Sequence, residues 1–203
     1  MRLSTTRIIE LIVAVSVVVI SVVSLFVAVE QSRVQRQMLQ ASVLPVIQYG
    51  TGNYNLPAEE WRLTLNFTNT GIGPAELQIL DVRWNDASIG DFAEFIMACC
   101  VPQRIPENER QAYLLDVYRS GELQFIFDSV QGRFFAPGES VDYISARRPD
   151  PETQPRGFEI WSNLDRVRHE LDAEICYCSV FEDCWLARFP AQTREPALCR
   201  EAG

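Results

Sequence analysis

The sequence predicts a mainly β protein: an N-terminal transmembrane helix with a short juxtamembrane extension, then an antiparallel β-sandwich carrying one or two inserted short helices. Three observations predict it. Residues 11–29 hold no charge and nothing more polar than serine. From Pro45 onward the hydropathy period changes from helical to two. All six cysteines fall after that change. The chain of 203 residues is long enough for one domain or slightly more.

Residues 8–29 read IIELIVAVSVVVISVVSLFVAV. Their uncharged core of 19 residues would span roughly 28 Å as a helix, close to the ~30 Å hydrocarbon core of a bilayer. It is too long for the apolar region of a secretory signal, and no small-x-small cleavage site follows it. An uncleaved anchor is therefore expected, with residues 1–7 as an N-terminal stub. The basic residues on the two sides, Arg2 and Arg7 against Arg33 and Arg36, orient it weakly. The short stub and the cysteines favour a cytoplasmic N-terminus and residues 45–203 outside, which in a bacterium is the periplasmic side of the inner membrane. Glycine is absent from residues 11–29, so no GxxxG dimer face exists there; Ser16 and Ser21 are weak substitutes.

Residues 30–44 continue as a juxtamembrane helix rich in Gln and Arg. Val34, Met38 and Ala41 share one face of it. That face suits a simple spacer or the seam of a homo-oligomer, and Pro45 stops the helix.

Residues 45–203 form the expected ectodomain. Residues 61–68 alternate strictly, placing Trp61, Leu63, Leu65 and Phe67 on one face of a strand. A turn rich in Gly and Pro follows at residues 69–75, then a second strand over 76–84. Further strands are expected at 46–49, 112–118, 123–128, 140–146, 174–181 and 184–189. About eight short strands separated by turns favour a sandwich. Short helices are expected at 91–98 and at 160–171, the latter from Ile160, Leu164, Val167 and Leu171. Residues 147–157 form a polar, proline-rich loop between elements.

The unit LTLNFTNTGIGPAEL at 63–77 and the late YCSVFEDCW at 177–185, behind an anchor and a Gln/Arg-rich stalk, resemble bacterial single-pass membrane-anchored proteins with an immunoglobulin-like β-sandwich ectodomain. The resemblance covers most of the chain at the level of layout. Its specific parts are the N-x-G-x-G-P-A turn and the Tyr-Cys-Ser-Val…Cys-Trp element. It implies an immunoglobulin-like fold and carries no established activity.

Charge and composition exclude several functions. The four arginines and two glutamates of residues 1–44 leave residues 45–203 with −11 of the whole-chain −9. An acidic body lacks the basic footprint that nucleic acid requires. All 18 basic residues are arginine, so lysine chemistry is absent. No Gly-x-Ser-x-Gly or HExxH motif occurs, and Glu76 and Pro74 spoil a dinucleotide reading of Gly71-x-Gly73. The single histidine, His169, sits among Arg166, Arg168, Glu170 and Asp172 and reads as a solvated helix face. Glu107/Glu109 and Glu182/Asp183 are weak calcium candidates and better read as surface. Catalytic, cofactor and metal residues are therefore not assigned.

Cys99, Cys100, Cys176, Cys178, Cys184 and Cys199 are disulfide candidates. A Cys178–Cys184 bridge across a hairpin turn is plausible. Cys99 and Cys100 would form a strained ring with each other, so each is expected to reach elsewhere, for example to Cys176 or Cys199. A thiolate site for zinc or copper(I) is the competing reading, with no Cys-x₂-Cys knuckle to support it.

The leading functional reading is a non-catalytic binding or accessory module of the envelope, held in the membrane by residues 8–29 and recognising another envelope protein. Trp84, Trp161, Trp185, Phe134 and Phe135 are contact candidates that equally suit a core. The alternatives are a carboxylate-dependent hydrolase with its site under the 147–157 loop, and a thiol or metal site on Cys176, Cys178 and Cys184.

Overall fold

The computed structural model describes residues 5–199, and the stub is outside it apart from residues 5–7. Two compact units divide at Ser42 and Val43. The first is one helix, α1 (Thr5–Ser42), of 38 residues. It is long and apolar enough to span a membrane. At about 1.5 Å per residue it runs roughly 57 Å, nearly twice a bilayer core. The Ser16 and Ser21 hydroxyls donate to the carbonyls of Ile12 and Val17 one turn back, so each polar group is satisfied within the helix.

The second unit holds two antiparallel sheets. Its elements in order are β1 (Ile47–Asn55), β2 (Glu60–Asn69), β3 (Ala75–Trp84), β4 (Ala87–Ser88), α2 (Phe92–Cys99), α3 (Arg110–Arg119), β5 (Phe125–Phe127), β6 (Phe134–Phe135), β7 (Ser140–Arg147), α4 (Pro155–Val167), β8 (Leu171–Ser179), β9 (Cys184–Phe189) and β10 (Thr193–Pro196). One sheet has the order β1-β2-β7-β5. The other has β10-β9-β8-β3-β4, with β6 also paired to β3.

Period-two burial builds the core between the sheets. Phe67, Val141 and Ile47 from the first sheet meet Leu77, Ile175, Tyr177 and Phe189 from the second. At the other end helices replace the second sheet. Leu63, Leu65, Ile144 and Ala146 pack there against Ile96, Val117, Ile160, Trp161 and Leu164.

The turn at 69–75 has a specific physical origin. Asn69 is fully buried. Its Oδ1 accepts from the N–H groups of Val46 and Gly71, at 3.2 and 3.0 Å. Its Nδ2 donates to the carbonyls of Gly73 and Phe135, at 2.8 and 3.1 Å. Residues 43–46 cross this turn so closely that a Cβ on Gly71 or Gly73 would overlap their backbone. The N-x-G-x-G motif thus clamps the start of the second unit.

Several expectations need correction. Residues 112–118 are not a strand but belong to α3. Tyr113, Leu114 and Val117 share a helical face against the core, while Leu115 points to solvent; an i, i+4 set was read as alternation. Among the described residues three α-helices are inserted, not one or two. The last of them starts at Pro155 and ends at Val167, followed by a 3₁₀ turn over Arg168–Glu170. Leu171 therefore opens β8 instead of closing the helix. Trp61 keeps the face of Leu63, Leu65 and Phe67 but is 48% exposed and lies outside the core. The expected 174–181 strand ends at Ser179, where a turn with Glu182 at positive φ begins.

Candidate functional site

Among the described residues the second unit carries an apolar groove, a polar cleft and a cysteine cluster.

The groove lies where α2, α3 and β5 meet. Its volume is about 400 Å³, and it is lined by Phe92, Ile96, Leu114, Leu115, Val117, Tyr118, Leu123, Phe125 and Phe127, with Asp91 the one charged lining residue among those described. Each element is placed by local sequence. Asp91 caps α2 by accepting from the Ala93 N–H at 2.7 Å. Ile96 and Val117 form a buried floor. Phe92 stacks edge-on against Phe125 and Phe127, with ring centroids 5.4 and 4.5 Å away. The strand β5 pairs with β7 alone and is the edge of its sheet. Ile126 and Phe127 on that edge are 60% and 50% exposed. An open edge with large apolar side chains is a template for a further strand.

The cleft lies under residues 147–157, where sequence reasoning put a hydrolase site. It encloses about 730 Å³ and is lined by residues including Glu60, Trp61, Glu122, Arg147, Arg148 and Gln154. Two of its carboxylates, Glu60 and Glu122, are paired with arginines. Glu60 faces Arg62 at 2.6 Å and Arg147 at 3.4 Å. Glu122 binds Arg156 and accepts from the N–H groups of Arg156 and Gly157, which cap α4. Arg156, with these backbone donors, holds the Glu122 carboxyl below the usual range. A general acid needs the opposite shift. Arg148 stacks its guanidinium over Trp61, Phe158 and Trp161, 5.2, 5.1 and 5.9 Å from the ring centroids.

The cysteines occupy two places. Cys99 and Cys100 end α2, and their sulfurs lie at bonding distance from each other. The expected reach of either to Cys176 or Cys199 is not seen, because those two are at bonding distance themselves. Cys178 meets Cys184 directly across the β8–β9 register, with Cα atoms 4.0 Å apart. Cys176 and Cys178 alternate with the core residues Ile175 and Tyr177, so they face the outer side of the second sheet. The Ala197 N–H donates to the Cys184 carbonyl at 3.0 Å. This lays residues 197–199 over that face and brings Cys199 to Cys176.

The other expected residues scatter. Trp161 and Phe135 are buried, Trp84 and Trp185 are partly buried, and Phe134 is exposed. His169 is exposed in the 3₁₀ turn. The groove residues Phe92, Leu115, Tyr118 and Phe127, and the exposed β5 residue Ile126 beside them, were missed. The one sequence signal for them is Phe-Ile-Phe at 125–127, a short apolar run between polar stretches. Compared with known protein families, with curated proteins and with solved structures, the chain matches none.

Proposed function

We propose that this protein is a membrane-anchored binding module of the bacterial envelope, whose groove and β5 edge receive an extended apolar segment of another envelope protein. The observation that carries this reading is an aromatic groove beside an unpaired sheet edge on a strongly acidic body. Strand addition supplies main-chain hydrogen bonds, and alternate side chains of the guest fill the groove. The −11 of residues 45–203 makes a guest with flanking basic residues the complementary one.

In this reading the ectodomain is immunoglobulin-like. Supporting this, if β4, β6 and β10 are set aside as additions and β1, β2, β3, β5, β7, β8 and β9 are lettered A to G, the remaining orders read ABED and GFC, as in a constant-type immunoglobulin sandwich. The N-terminus is cytoplasmic, the membrane is the inner one, and residues 45–203 are periplasmic. Three cysteine pairs at bonding distance support an oxidising side for the body. No catalytic role is assigned. The hydrolase alternative has a cleft in its favour, and the charge-paired state of Glu60 and Glu122 against it.

The test places a photo-crosslinking amino acid at Ile126, and separately at the surface residue Glu152, in the full chain in native membranes. A discrete adduct at 126 alone, mapping to an extended apolar segment of one envelope protein and lost in Phe127→Asp, is expected. Equal adducts at both positions, no adduct, or an adduct to a second copy of this chain would overturn the reading.

A further inference from the structure

We propose that the four cysteines on the outer face of the second sheet form a thiol–disulfide exchange site for a dithiol, with Cys178 and Cys199 as its inner pair. The inference is independent of the groove. It rests on how two cysteine pairs touch. The Cys178 and Cys199 sulfurs belong to different pairs yet lie 3.7 Å apart, which is van der Waals contact for two sulfurs. The Cys178, Cys184 and Cys199 sulfurs all lie within 4.8 Å of one another. A thiolate generated on Cys178 therefore has the neighbouring disulfide already in reach, and exchange proceeds by attack of thiolate on sulfur.

Access is graded. Cys176 and Cys178 are buried, while Cys184 and Cys199 are partly exposed. An incoming thiolate meets Cys184, forms a mixed disulfide with it and breaks the Cys178–Cys184 bond, so that Cys178 leaves as thiolate. Cys178 then attacks the Cys199 sulfur, forms Cys178–Cys199 and expels Cys176 as thiolate. The second thiol of the reductant resolves the mixed disulfide, leaves as an intramolecular disulfide and frees Cys184. The balance is one dithiol oxidised by two electrons and one protein disulfide reduced, the two protons passing to Cys176 and Cys184. Attack at Cys176 instead would release Cys199 onto Cys178 and reach the same product. The two-electron state is thus Cys178–Cys199 with Cys176 and Cys184 as thiols. Cys176 lines a cleft of about 620 Å³ whose wall mixes apolar Ile79, Leu186 and Leu198 with charged Asp81, Arg83 and Glu174, which suits a peptide carrying the dithiol.

The experiment titrates the full chain, purified oxidised in detergent, with dithiothreitol from one to three equivalents without oxygen. Samples are acid-quenched, alkylated and mapped as peptides without reduction, so that Cys99 and Cys100 are scored separately. The expected first product of the cluster carries label on Cys176 and Cys184 and a Cys178–Cys199 crosslinked peptide. Label on Cys178 with Cys184 while Cys176–Cys199 stays joined, label on Cys176 with Cys199 while Cys178–Cys184 stays joined, or passage to four thiols with no crosslinked intermediate would each overturn the proposal. A second measurement uses the double variant Cys178→Ser, Cys184→Ser, which removes the internal nucleophile. Reduction of Cys176–Cys199 is expected to slow at least tenfold, and an unchanged rate would overturn the relay.

Discussion

The N–H of Gly157 donates to the Glu122 side chain at 3.4 Å, and a Cβ added at Gly157 would overlap the carbonyl oxygen of the same Glu122. Glu122, three residues after the end of α3, thus both caps α4 and fixes how closely it approaches. Pro155 supplies the preset first helical position, and Arg156 closes the ion pair from the far side while also holding Asp116 at 2.5 Å.

Glu122→Gln is therefore expected to lower stability at pH 7 by about 1 kcal/mol, the ordinary cost of a weakened helix cap, or about 2–4 °C in Tm. The folded Glu122 carboxyl titrates below its ordinary value. Its stabilisation is present above the unfolded value of about 4.3 and is lost as pH falls through the lower folded value. The Tm difference between wild type and variant should shrink across that acidic window. A difference that stays constant from pH 7 to pH 3 would remove the cap from the account. Gly157→Ala should be worse than Glu122→Gln at every pH, because its clash is with backbone.

The turn built on Asn69 makes a sharper case. The two bonds it donates, to the Gly73 and Phe135 carbonyls, are buried, and the two it accepts, from Val46 and Gly71, are partly buried. Asn69→Ala leaves two carbonyls and two N–H groups without their partner. At about 1–3 kcal/mol for each buried group left unsatisfied, a loss of at least 3 kcal/mol is expected. Asn69→Asp is nearly isosteric but has no N–H for the Gly73 and Phe135 carbonyls, so it should be as damaging at neutral pH. Thermal unfolding of the two variants checks this, and an aspartate variant near wild-type Tm would contradict it.

Much of this architecture was legible because its signals are local. The apolar run at residues 11–29, the alternation at 61–68 and the Asn-Gly-Gly-Pro turn each need no knowledge of the rest of the chain. The errors fall where tertiary contact decides. Tyr113-Leu114-Leu115 fits either period, and only the floor under Val117 selects a helix. Trp61 obeys its strand's alternation but lies at the sheet end, where Arg148 covers it and no second sheet does. The groove was illegible because its walls come from α2, α3 and β5, far apart in sequence. The cysteine pairing was half legible. Cys178 and Cys184 are tied by a hairpin, whereas Cys199 reaches Cys176 through a tail that follows no pattern.

The end of α4 supplies a third test. Arg168 is almost fully buried, pairs with Asp165 at 2.7 Å and donates to the Thr51 hydroxyl at 3.0 Å. Asn53 donates to the other oxygen of Asp165 at 3.2 Å. This network ties α4 to β1. Asp165→Ala strands a buried guanidinium and is expected to cost roughly 3 kcal/mol, the lower end for breaking a buried pair, since Asp165 keeps some contact with solvent. Replacing both partners, Asp165→Leu with Arg168→Met, should recover most of the loss, since neither charge then remains to be solvated. Denaturant unfolding of the single and double variants decides it. A double variant no better than the single would show that the hydrogen bonds to Thr51 and Asn53, and not the charge pair, hold the two elements together.

The side of the membrane on which the body lies is open to a count of thiols. The proposed periplasmic placement puts all six cysteines in an oxidising compartment. Native membranes alkylated under denaturing conditions should then give a protein with no added label, and the same sample reduced first should give six. Mass alone distinguishes these outcomes. Six labels without reduction would place the acidic body in the cytoplasm and invert the anchor. Cys176, Cys178, Cys184 and Cys199 would then be neighbouring free thiols on one sheet face, a soft-ligand set suited to zinc or copper(I). Elemental analysis of the same preparation would in that case show bound metal in proportion to protein.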